Sequence, residues 1–139
     1  MGKINVIKIQ TDVIKALIKN SHVDFCGCKD GVWITLDGCC AYNIPESEFY
    51  IDMKTLKPNT LLRQYRDNFD FAEEAIPTGE MKRLNFFNAV KLKTAGGKEK
   101  WINEKYFKLC DSWSCYGSLF YGCNKGIPGV MCMEVRMKK

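Results

Sequence analysis

Phe25-Cys26-Gly27-Cys28-Lys29-Asp30-Gly31-Val32 and Phe120-Tyr121-Gly122-Cys123-Asn124-Lys125-Gly126-Ile127 share Phe, Gly, Cys and a second Gly at the same spacing, and end on Val against Ile. In each, alternating side chains run into a short polar stretch closed by glycine. That is the pattern of a strand entering a tight turn, since glycine accepts the positive φ such turns require. The two segments therefore predict two β-hairpins of related design, one in each half of the chain. Self-similarity at a fixed offset points to a duplicated unit.

Working outward from the first copy, residues 3–10 (KINVIKIQ) alternate apolar and polar side chains and predict a strand. Thr11 offers an N-cap, and Val13, Ile14, Leu17 and Ile18 form one apolar face of a helix that stops near Asn20. After the hairpin, residues 39–44 predict a third strand beyond the helix, so this portion reads β-α-β-β-β, and EFYIDM (48–53) is a candidate for a fourth strand beyond the helix. Around the second copy, residues 84–94 predict one or two strands, and Asn103 caps a helix from Glu104 to about Asp111. Residues 118–123 and 130–136 predict the closing strands. The expected fold is α+β, with antiparallel sheets and two short helices. Residues 1–139 form one domain with halves of about 1–55 and 84–139, joined by a connector at 56–83 that is partly helical after Pro58.

A duplicated β-α-β-β-β unit is the plan of one domain of the DNA sliding clamps, and short segments resemble that family. Thr35-Leu36-Asp37-Gly38-Cys39-Cys40-Ala41 resembles the clamp segment written T-D-G-H-R-L-A, with Cys39 and Cys40 where the family has His-Arg. Asn103-Glu104-Lys105-Tyr106-Phe107 resembles the F-N-x-x-Y-L segment that opens a helix in the last domain of bacterial clamps. Val130-Met131-Cys132-Met133 resembles their C-terminal V-M-P-M run, with Cys132 in place of Pro.

The resemblance implies a non-enzymatic binding protein acting in replication or in a mobile element's dealings with its host. Clamps encircle duplex DNA with six such domains, helices lining the hole, so this chain would need six copies to close a ring. Lys15, Lys19, Lys105 and Lys108 would then contact phosphates without reading bases. Met131 and Met133 match the segment that contributes to the family's groove for short partner peptides. The partner is either a further copy of the chain or a clamp or replisome protein, which a lone domain could cap or mimic by strand addition.

Composition fits this class. The chain has 139 residues, 46% apolar and 27% charged, with a formal charge of +5. Residues 41–80 carry 4 basic and 8 acidic side chains, whereas residues 81–139 carry 12 basic and 4 acidic, so the basic second portion could face a polyanion. There is neither a secretory leader pattern nor an apolar run of membrane-spanning length, so a cytoplasmic protein with no membrane partner is expected.

Catalytic patterns are not found. His22 is the sole histidine and has no nucleophile motif around it. The acidic clusters Glu46-Glu48-Asp52 and Asp67-Asp70-Glu73-Glu74 read as solvated faces. No phosphate-binding glycine loop is present, so no catalytic residue, cofactor or metal ligand is assigned. The competing reading is a cysteine-rich zinc-binding interaction module, with Cys26, Cys28, Cys39 and Cys40 as one thiol set and Cys110, Cys115, Cys123 and Cys132 as another.

Overall fold

The computed structural model describes residues 4–37 and 39–137, except for the side chains of residues 36 and 37. The first element of the described residues is a helix, α1 (Val6–Ile18), capped by Asn5, whose side chain accepts a hydrogen bond from the Lys8 N–H. The strand expected at 3–10 is therefore corrected. Ile4 and Val6 follow the strand period, but Val6, Ile9, Gln10 and Val13 fall at i, i+3, i+4 and i+7 of a helix, and they turn toward the sheet. Thr11, the expected cap, lies inside the helix with its hydroxyl bonded to the Ile7 carbonyl. Asn20, at φ 61°, ends the helix.

After α1 come β1 (Asp24–Cys28), β2 (Gly31–Asp37) and β3 (Cys40–Ile44). Two 3-10 turns, Glu46–Glu48 and Met53–Thr55, replace the strand expected at 48–53. The buried Gln10 amide fixes that stretch, donating to the Glu48 carbonyl (2.9 Å) and accepting from the Tyr50 N–H (2.8 Å). The expected connector is a structural part of the sheet. It supplies β4 (Lys57–Pro58), α2 (Leu61–Asn68), a 3-10 turn at Phe69–Phe71 and the long strand β5 (Glu73–Arg83). The remainder is β6 (Asn88–Thr94), β7 (Glu99–Asn103), α3 (Glu104–Phe107), β8 (Ser112–Tyr116), β9 (Leu119–Asn124) and β10 (Ile127–Met133). α2 falls where the connector was expected to be partly helical after Pro58, and α3 is shorter than its expected span.

The fold class is α+β, as expected, but one sheet takes the place of several. Its order is β4-β1-β2-β3-β10-β9-β8-β5-β6-β7, antiparallel throughout except for the short β1–β4 contact. Two meanders, β1-β2-β3 and β8-β9-β10, meet where β3 pairs with β10, and a helix precedes each. β7-α3-β8-β9-β10 reads β-α-β-β-β, with β8 a strand that the sequence reading did not place, whereas among the described residues no strand precedes α1. The matched segments from the sequence do not occupy equivalent places. Residues 25–32 join the first and second strands of their meander, and residues 120–127 join the second and third of theirs. β8 intervenes between α3 and the second copy.

Alternation in the strands sends side chains to two layers. On one face, Ile9 and Val13 of α1 pack with Val32, Ile34 and Ile44, and Tyr106 of α3 packs with Leu92, Ile102, Phe120 and Cys132. Ile4 and Tyr42 touch both groups and make that layer continuous. On the other face, Leu62 of α2 covers Cys26, Trp33, Ala41, Tyr121 and Met131. The β5–β7 end curls toward the chain's C-terminal segment, where the Val135 N–H donates to the Trp101 carbonyl at 2.7 Å. No helix among the described residues is long and apolar enough to cross a membrane.

Candidate functional site

A groove of about 400 Å³ opens between α2 and its face of the sheet. Its floor follows the strand register, with Asp24 opposite Thr35, Thr35 opposite Ala41 and Ala41 opposite Met131. Leu119 and Met133, a cross-strand pair, continue it, and Leu62 and Tyr65 of α2 form the facing wall. Met131 is buried at the bottom, whereas Met133 is 45% exposed at the surface. Methionine's flexible, polarisable side chain suits an adaptable apolar contact.

The wall is held in place by buried polar chemistry. The Arg66 guanidinium donates from Nε to Asp30 Oδ2 at 2.6 Å and from Nη1 to Asp70 Oδ1 at 3.3 Å. Asp30 belongs to the β1–β2 turn, and its second oxygen accepts from Trp33 Nε1 at 3.3 Å. The Tyr121 hydroxyl donates to the Tyr65 carbonyl at 2.5 Å, so the sheet grips the middle of α2 directly. Lys29, donating to Asp70, holds that carboxyl below the usual carboxylate range, with Arg66 acting in the same direction. At the other end of the groove the Asn59 amide donates to Asp24 Oδ2 at 2.8 Å, and Asn59 Oδ1 accepts from the Leu61 N–H at the start of α2. His22 and Cys39, both exposed, also line the groove.

Met131 and Met133, singled out from the sequence as groove residues, thus line one cavity. Leu62, Tyr65 and Leu119 were missed. They come from α2 and β9, and their approach to β10 depends on pairings far apart in sequence.

The lysines singled out for DNA lie on the opposite face of the sheet. Lys15 is on α1 and Lys19 is its C-cap, Lys105 is on α3 and Lys108 is its C-cap, all exposed. The two helices share a layer, and Lys105 is near enough to α1 to act on Asp12. Lys8, which donates to that carboxyl, holds it below its usual range, with Lys15 and Lys105 adding to the effect. Lys108 Nζ lies 3.7 Å from Glu104, and Lys105 Nζ sits 5.5 Å from the Tyr106 ring centre.

All eight cysteines are thiols. Cys26 lies in the core under α2 and Cys40 in the core under α3, which divides the first thiol set from the sequence between the two faces, whereas Cys110, Cys115 and Cys132 of the second share the core under α3. Burial pushes the Cys110 thiol up to about 12 and the Cys28 and Cys123 thiols up to about 11. A zinc ligand must be a thiolate, which these surroundings disfavour. Among the described residues no group of three or more His, Cys, Asp or Glu side chains is placed to hold a metal ion, so the zinc-module alternative gains no support.

Comparison with protein-family models, with curated proteins and with solved structures finds no match.

Proposed function

We propose that this chain is a non-enzymatic binding protein whose working surface is the groove between α2 and the sheet, and that it takes a short apolar segment of a protein partner there. The observation that carries this reading is the meeting of Met131, Met133, Leu62, Leu119 and Tyr65 around one open cavity of about 400 Å³. Such a cavity takes one or two apolar side chains and leaves the rest of a bound segment at the surface. The arrangement accords with a sliding-clamp-like domain working with a replisome protein, as do the two helix-led meanders that meet at β3 and β10.

The test begins with a displayed library of short random peptides selected on the purified protein. Selected peptides are synthesised with a fluorophore and their binding is followed by polarisation. Met133→Lys and Leu119→Glu are each expected to weaken binding by about tenfold or more, since each places a charge in the apolar contact. Peptides that bind both variants as well as wild type would place the working surface elsewhere.

A second reading concerns the opposite face, where Lys15, Lys19, Lys105 and Lys108 project from adjacent helices that would line the hole of a clamp-like ring. It rests on charge alone, and Asp12, Glu104 and Lys108's own ion pair temper it. Four phosphate contacts would give a logarithmic salt slope of about −3.6 on duplex DNA. Anisotropy of a labelled duplex is expected to fall along that slope, and to fall less steeply when Lys15 and Lys105 are changed to Glu. Absence of binding at low salt would dispose of this reading.

A further inference from the structure

The β5–β6 hairpin ends in a loop, residues 84–87, closed by a hydrogen bond from the Leu84 N–H to the Phe87 carbonyl at 2.8 Å. At its tip Phe86 is 93% exposed, the highest value among the exposed large apolar side chains. Lys82 and Arg83 precede it, both exposed, and no acidic residue occurs between 81 and 90. An ordered loop thus presents an apolar ring beside two positive charges to solvent.

The groove has the complementary character. Its lining is apolar around Met131 and Met133, and Asp24 supplies its one carboxylate, with neither Lys nor Arg among the lining residues. Within one molecule, none of the residues of the hairpin loop lines the groove. β5 starts at Glu73 opposite Cys115, next to the β8–β9 turn that leads into Leu119 of the groove. It then runs away from that end to Arg83, which pairs with Asn88 at the start of β6.

We infer that the hairpin tip of one copy of this chain docks in the groove of a second copy, with Phe86 entering the cavity beside Met133 and Arg83 or Lys82 facing Asp24. This inference rests on the groove being a binding surface and names its occupant. Knob and groove are different surfaces, so the contact is heterologous and repeats head to tail, giving a ring if the rotation closes and an open chain if it does not.

The experiment is light scattering of the full chain over a wide concentration range, at moderate salt. Wild type is expected to gain mass with concentration. Phe86→Asp and Met133→Lys are each expected to weaken self-association by at least about tenfold. Both positions are exposed, so folding is preserved, and circular dichroism checks this. The decisive step mixes the two variants. A Phe86→Asp copy keeps its groove and a Met133→Lys copy keeps its tip, so equimolar mixing should yield a dimer that neither forms alone and that does not grow further. A wild-type protein that stays monomeric, an assembly indifferent to Phe86→Asp, or a mixture that forms no dimer would overturn self-docking. Peptides selected as described above that still bind Phe86→Asp protein, and fail on Met133→Lys, would in that event leave the groove itself standing.

Discussion

Replacing Arg66 with alanine is expected to lower folding stability by about 3–5 kcal/mol, read from the midpoint and slope of urea unfolding. The guanidinium side chain is 5% exposed and its Asp30 partner 13%, so neither charge has ready access to water. Removing the arginine leaves Asp30 in a desolvated turn with only the Trp33 indole as a fixed side-chain donor. A group stranded in this way costs far more than an exposed ion pair contributes. Arg66→Lys should fall between, because an ammonium keeps the charge but not the planar fork that spans Asp30 and Asp70. The double replacement Arg66→Met with Asp30→Asn should recover part of the loss, as both charges then leave together. A cost below about 1 kcal/mol for Arg66→Ala would mean that water reaches the pair and that α2 is held by its apolar contacts alone. Because α2 is one wall of the groove, peptide binding should weaken with Arg66→Ala even where the protein remains folded.

A second large contrast is expected at the two glycines that the sequence places in matching positions. Gly122→Ala should destabilise by about 1–3 kcal/mol, the range for overfilling a packed core. Its added Cβ would lie 2.5 Å from the Cys110 sulfur and 2.9 Å from both the Cys110 Cβ and the Trp113 ring. Gly27→Ala should be neutral or slightly stabilising, since nothing lies within 4 Å of the added carbon and alanine orders a strand at lower entropic cost than glycine. Combining Gly122→Ala with Cys110→Ala should restore part of the loss by removing the nearest atom. Thermal unfolding of the four proteins decides the matter. Equal effects at positions 27 and 122 would mean that the two hairpins are packed alike, contrary to their different places in the meanders.

Those two glycines also show how far local pattern carries. Phe-x-Gly-Cys followed by a turn glycine was enough to find both hairpins, because turn chemistry acts over a few residues and is written there. Asn103 is a further case. Its side chain accepts from the Lys105 N–H, two residues on, and the helix start was legible for that reason. The same local reading failed at residues 6–10, where the alternation that begins at Ile4 and Val6 is broken by Ile7 and the 3.6-residue spacing of Val6, Ile9, Gln10 and Val13 prevails. Which period wins there depends on Gln10 finding the Glu48 carbonyl and the Tyr50 N–H, some forty residues away.

By itself, then, the sequence determined an α+β chain with glycine-closed hairpins, a helix opened by Asn103 and a methionine pair near the C-terminus. Only the tertiary structure decided that β3 pairs with β10, that Arg66 reaches Asp30, and that Met133, Leu119 and Tyr65 face one another across a groove. The difference is physical. Caps and turns are satisfied by neighbouring backbone groups, whereas strand order and buried ion pairs are fixed by which distant surfaces exclude water together, and no short window of sequence contains both partners.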